Sequence, residues 1–158
     1  MKKYDERARR IAVLDMETDP FDKDKRERIE PFVACLYSDD FDPVVIWDEN
    51  YQRLAVKIYK AIENLPARYT IYAHNGGKFD YMFLVHLLRG EVSFKGRGIM
   101  SARIGEHDLR DSFHIIPEKL ANIQKEKFDY EKMRRHRRND HRQEIIDYLI
   151  SDCRYLLE

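Results

Sequence analysis

The chain has 158 residues, 43% hydrophobic and 37% charged, with 29 Lys plus Arg balancing 29 Asp plus Glu; this suffices for one core under a densely charged surface and excludes a bulk basic composition, leaving only local clusters to attract polyanions. Two cysteines, Cys35 and Cys153, form neither a disulfide framework nor a CxxC metal site, so reduced, buried thiols are expected. No apolar stretch reaches the ~20 residues needed to span a bilayer and none behind MKKYDERARR resembles a secretion signal, so the expectation is a single domain over 1–158, cytoplasmic and intracellular, with no membrane partner.

RIAVLDMET, from Arg10 to Thr18, is a short apolar run without helical caps and predicts a central strand. A charged loop separates it from FVACLYS and PVVIWD, two further strands joined by a hairpin-scale connection. NYQRLAVKIYKAIENL carries Leu54, Ile58, Ala61, Ile62 and Leu65 at helical spacing and is closed by Pro66. RYTIYAH then predicts a fourth strand and FDYMFLVHLLR a buried helix ending at Gly90; strand, helix, strand implies a parallel pairing. Gly96, Gly98 and Gly105 punctuate the segment from Glu91 to Phe113, which suits a hairpin. The last third is helical in character, with Pro117 at a helix start, a basic run from Arg134 to Arg138, and a long helix from about Asp140.

Asp15 and Glu17 are two apart on the first strand, so both point to one side of the sheet. Two acids at the end of an apolar strand repel each other unless cations compensate, and Mg²⁺ or Mn²⁺ suits carboxylate oxygen. The alternative is a strand that simply runs out into solvent at Asp15. Asp80 follows a glycine-flexible loop at the start of the predicted helix, where an acid also serves as an ordinary helix-start residue. Tyr148 and Asp152, four apart, share one face of the last helix.

Taken in order, DMET, HNGGKFD and YLISD resemble the three motifs of the DEDDy 3′→5′ exonucleases, and more closely the exonuclease domain of protein-primed family B DNA polymerases. The resemblance implies an α/β, ribonuclease H-like exonuclease fold: a mixed sheet of three antiparallel strands plus a parallel strand, flanked by helices, with an inserted β-hairpin. It implies that Asp15, Glu17, Asp80 and Asp152 hold two divalent ions, Mg²⁺ or Mn²⁺, and that Tyr148 serves catalysis. IYAHN, DSFHIIP and KEKFDYEK extend the likeness. They imply strand contacts at Thr18, Tyr72, His74, Asn75, Phe79, Phe83, Ser112 and Phe113, and a catalytic Lys125 with Phe128 as the hydrophobic member of its motif. Asp147, not histidine, lies five before Asp152, so the sister DEDDh pattern is not met. Neither DxxSLYP nor YxDTD occurs, and no polymerization is expected from this chain.

The expected activity is removal of 5′-mononucleotides from single-stranded or frayed DNA 3′ ends, by a two-metal displacement of the kind proofreading uses. Aromatic stacking and backbone contacts make sequence-tolerant binding the expectation. A DNA polymerase, in cis or in trans, is the implied partner, and a viral or plasmid gene acting in a host cell the implied setting. Two alternatives stand beside this reading: a catalytically silent module that grips single strands, and a 3′→5′ exoribonuclease.

Overall fold

Seven strands and two α-helices make up the regular structure among the residues that the computed structural model describes, which are 10–18, 30–73, 93–95, 98–111 and 128–157. The strands are β1 (Arg10–Thr18), β2 (Pro31–Ser38), β3 (Phe41–Trp47), β4 (Tyr69–Ala73), β5 (Ser93–Lys95), β6 (Gly98–Ile104) and β7 (His107–Asp111). The helices are α1 (Tyr51–Glu63) and α2 (Arg142–Leu157), the latter preceded by 3₁₀ turns at Tyr130–Met133 and Arg138–His141. One mixed sheet has the order β3-β2-β1-β4-β7-β6-β5.

Alternation along β1 decides what each face of the sheet meets. Ala12, Leu14 and Met16 join one core with Leu54, Ile58 and Ile62 of α1, while Val13 joins a second core with Ile145, Tyr148, Leu149 and Cys153 of α2. β2 is buried on both faces, and its near-continuous apolar sequence reflects that. β3, at the sheet edge, tolerates Pro43 because an edge strand need not donate on both sides. The Asn50 side chain caps α1 by accepting the Arg53 amide hydrogen at 3.0 Å, and the stripe Leu54, Ile58, Ile62 is sealed from solvent. Each of these three contributes roughly 1.5–3 kcal/mol relative to exposure.

β1 pairs antiparallel with β2 and β2 with β3, while β4 runs parallel to β1, so the three-plus-one arrangement is present. The glycine-punctuated segment does more than form a hairpin. β5, β6 and β7 are an antiparallel meander whose last strand pairs in parallel with β4, making it a continuation of the main sheet. Its tight turn uses Gly105 at φ 57°, a conformation that favours glycine. His107 ties the join: its Nδ1 accepts the Tyr69 amide hydrogen at 3.2 Å, and burial lowers the imidazole's affinity for a proton. The predicted helix over FDYMFLVHLLR and the helix start at Pro117 lie outside the described residues. Among the described residues no helix is long and apolar enough to cross a membrane.

Candidate functional site

The two acids of β1 lie on the face that α2 covers, as strand alternation requires. α2 presents to that face the stripe Ile145, Tyr148, Leu149, Asp152 and Cys153, an apolar seam with one carboxylate and one phenol in it. Carboxylate oxygens of Asp15, Glu17 and Asp152 consequently lie within 4.8 Å of one another. Asp15 and Glu17 are half-buried and Asp152 is buried, at 2% exposure. Three acids so close, one of them sheltered from water, repel one another, and an all-oxygen donor set of this kind fits a hard divalent cation.

Cys153 lies in the seam where α2 packs on β1 and β2. Its thiol donates to the Cys35 carbonyl oxygen at 3.8 Å, and Cys35 is the register partner of Asp15 across β1 and β2. The same seam places Asp152, one residue earlier on the helix, by the acids of β1. Both thiols are fully buried, in keeping with a packing role.

Tyr148 is 4% exposed and its hydroxyl shares a 2.7 Å hydrogen bond with that of Tyr130. Burial, then the Tyr130 hydroxyl, then the charges of Asp152 and Glu17 push the phenol far above its ordinary value, so it is neutral throughout the accessible pH range. Phe128 packs on the Tyr148 ring with centroids 4.5 Å apart and meets Tyr130 edge-on at 5.9 Å. Asp147, by contrast, points to solvent and accepts from Gln143 Nε2 at 2.8 Å. The helix thus turns Tyr148, and not position 147, towards the acids.

Of the other residues singled out from sequence, Tyr72 pairs with Val13 and lies on the face of Asp15 and Glu17, while Thr18 closes β1 just beyond a register shift. His74, Asn75, Phe79, Asp80, Phe83, Ser112, Phe113 and Lys125 lie outside the described residues. The basic run is not an exposed track throughout. Arg138 is 1% exposed, stacks 4.0 Å from the Phe32 ring centroid and pairs with Glu49; Arg134 pairs with Glu131, and Arg135 reaches Glu30 at 4.0 Å. Tyr130 was not foreseen as a neighbour of the site, although it stands two residues after Phe128 within KEKFDYEK.

No family model matches the chain. The DNA-directed DNA polymerase of Enterobacteria phage PRD1 is 38% identical over 146 residues, which is 91% of this chain and 25% of that protein. The family B DNA polymerase of the archaeon Pyrobaculum calidifontis superposes with a TM-score of 0.61 over 94% of this chain and 23% of its own. In fold, the chain resembles part of a family B DNA polymerase. Phi29 DNA polymerase, complexed with primer-template DNA and incoming nucleotide, superposes with a TM-score of 0.62 over 95% of this chain and 30% of its own. Both superpositions are at 15% identity and bear on the fold alone. The chain spans about a quarter of the phage polymerase that it matches in sequence.

Proposed function

We propose that residues 1–158 form a single exonuclease domain that removes 5′-mononucleotides from single-stranded or frayed DNA 3′ ends, in the service of a replicative polymerase of the family B type. The observation that carries this reading is the convergence of the Asp15, Glu17 and Asp152 carboxylates from the first strand and the last helix. The relationship to a phage DNA polymerase supports DNA as the substrate and a polymerase, in cis or in trans, as the partner.

Asp15, Glu17 and Asp152, with Asp80 completing the set, would hold two ions, Mg²⁺ or Mn²⁺. Bound there, divalent ions supply an activated water and Lewis acidity at the scissile phosphate. Tyr148, neutral and held by Tyr130, orients the water as a hydrogen-bond partner and does not act as a base. Lys125 neutralises charge that builds on the phosphate in the transition state. Tyr72, with Thr18, His74, Asn75, Phe79, Phe83, Ser112 and Phe113, holds the 3′-terminal nucleotides. The stacking surface is indifferent to base identity, so digestion proceeds through any sequence.

A 5′-labelled oligonucleotide incubated with Mg²⁺ or Mn²⁺ should give a ladder shortened from its 3′ end. The ladder should vanish with a chelator and in Asp15→Ala. Retained activity in that variant would overturn the metal site, and preference for a labelled RNA competitor in the same tube would overturn DNA as substrate.

A further inference from the structure

The sheet has two parts, and they meet at β4. The strands β3, β2, β1 and β4 form one, the β7-β6-β5 meander forms the other, and a parallel ladder from Thr70↔Asp108 to Ala73↔Asp111 joins them. One step before the first pair of that ladder, the Tyr69 amide hydrogen goes to His107 Nδ1 at 3.2 Å. A side chain closes the open end of the join. A backbone N–H can only donate, so Nδ1 is the bare nitrogen and Nε2 carries the proton. The bond fixes the tautomer and requires a neutral ring. A protonated imidazole has an N–H on both nitrogens, and at Nδ1 that proton would face the Tyr69 N–H, donor against donor.

The surroundings add to the conflict. His107 is 5% exposed and its ring lies over that of Tyr69, with centroids 6.2 Å apart. Arg68, just before β4, disfavours an imidazolium, while Glu106, in the turn before β7, favours one; burial outweighs both and lowers the ring's affinity for a proton. Arg10, which pairs with Tyr69 from β1, stands 3.8 Å from Asp40, and Asp108 is engaged by Arg103. The Tyr69 hydroxyl and Arg68 Nε are buried without hydrogen-bond partners, so this end of the ladder already holds two donors with no acceptor.

We propose that His107 is an acid-operated latch: neutral, it pins the start of β7 to β4, and on taking a proton it releases that end, so that the meander frays from β4 while β1 and β2 stay paired. The latch is independent of the exonuclease reading. Its sign follows from linkage. In the opened state the imidazole is an ordinary one that takes a proton near pH 6.5, whereas the closed state resists protonation. Closure is therefore fully stable above about pH 6.5 and weakens as pH falls below it, towards the lower folded value.

The test is amide hydrogen exchange followed by NMR and corrected for its intrinsic pH dependence, which reads local opening residue by residue. The opening constant at Tyr69 should rise about tenfold from pH 7.5 to 5.5, the factor for one proton bound near 6.5 in the open state alone. Amides between β1 and β2 should keep theirs. His107→Asn sets an amide oxygen close to the place of Nδ1 and does not titrate, so Tyr69 should stay protected and lose the pH dependence. An opening constant at Tyr69 that is flat with pH in the wild type, or equally steep in His107→Asn, overturns the latch. So does an equal rise in β1 and β2, which would be global unfolding. Should His107→Asn fail to fold, the imidazole ¹⁵N shifts of the wild type decide. A bare Nδ1 at pH 7 with a midpoint below 6.5 supports the latch; a protonated Nδ1 at pH 7, or a midpoint at 6.5 or above, overturns it.

Discussion

The hydroxyls of Tyr130 and Tyr148 share a hydrogen bond at 2.7 Å, one presented from a 3₁₀ turn and the other from α2. Tyr148 is the buried partner and Tyr130 the outer one, at 39% exposure. Tyr148→Phe should lower kcat for nucleotide release by about 10²-fold, the lower range for a group positioned on the reacting water. Tyr130→Phe, which removes only the hydrogen bond that orients Tyr148, should cost about tenfold. Because burial and neighbouring acids push the Tyr148 phenol up, its proton stays on well above pH 10. The rate profile between pH 7 and 10 should therefore show no tyrosinate limb, and a Tyr148-dependent rise in that window would refute the orienting role.

The three carboxylates within 4.8 Å make a second, sign-reversing prediction. In EDTA, Asp152→Asn removes one of three like charges and should raise the melting temperature. In Mg²⁺ the wild type should gain, since a ligand that binds only the folded state at 100 times its Kd stabilises by about 2.7 kcal/mol. That corresponds to several degrees in a chain of this size. Thermal melts of the two proteins, with and without Mg²⁺, should cross over; parallel shifts in both would mean that the ion binds elsewhere.

Arg138 is a structural cation. It lies over Phe32 and pairs with Glu49, whose carboxyl burial would push up but which Arg138 holds below its ordinary value. Arg138→Ala loses both packing and pairing and should cost about 2 kcal/mol, less than a fully buried pair because Glu49 is 39% exposed. Arg138→Met keeps the stem over Phe32 and should lose less. Urea titrations of both variants rank the two contributions.

Asp48 gives a pH prediction whose sign is fixed. The amide of Asn50 donates to it at 2.8 Å and the Lys57 ammonium stands at 2.9 Å; these outweigh burial and, with Arg53, bring its carboxyl down to about 2. A folded value below the unfolded one, near 3.9, means stability that is fully present above pH 4 and lost as pH falls towards 2. Asp48→Asn should melt lower than wild type at pH 6, and the gap should close between pH 4 and 2. A gap that persists at pH 2 would assign the effect to packing.

The parts of the site that depend on short-range periodicity were legible from sequence. Alternation put Asp15 and Glu17 on one face, and the four-residue spacing put Tyr148 and Asp152 on one side of a helix. The facing of those two surfaces is a long-range matter, set by the packing of the α2 stripe on β1 and β2, and nothing local announces it. The same holds for β7: glycines mark its turn, but its parallel pairing with β4, which brings Arg110 beside Tyr72, joins segments that are distant in the chain. Arg138 was not legible for another reason. A run of arginines looks solvated, yet a planar guanidinium can stack on a ring and pair at once, and one member of the run does so.

The acid cluster draws Asp15 and Glu17 from β1 and Asp152 from α2, opposite ends of the described chain. A ribosome making this protein releases the first two early, and they wait without their third partner until α2 has emerged and docked. The cluster therefore reports that α2 has docked: a nascent or truncated chain that lacks α2 can carry much of the sheet and still have no place where three acids meet.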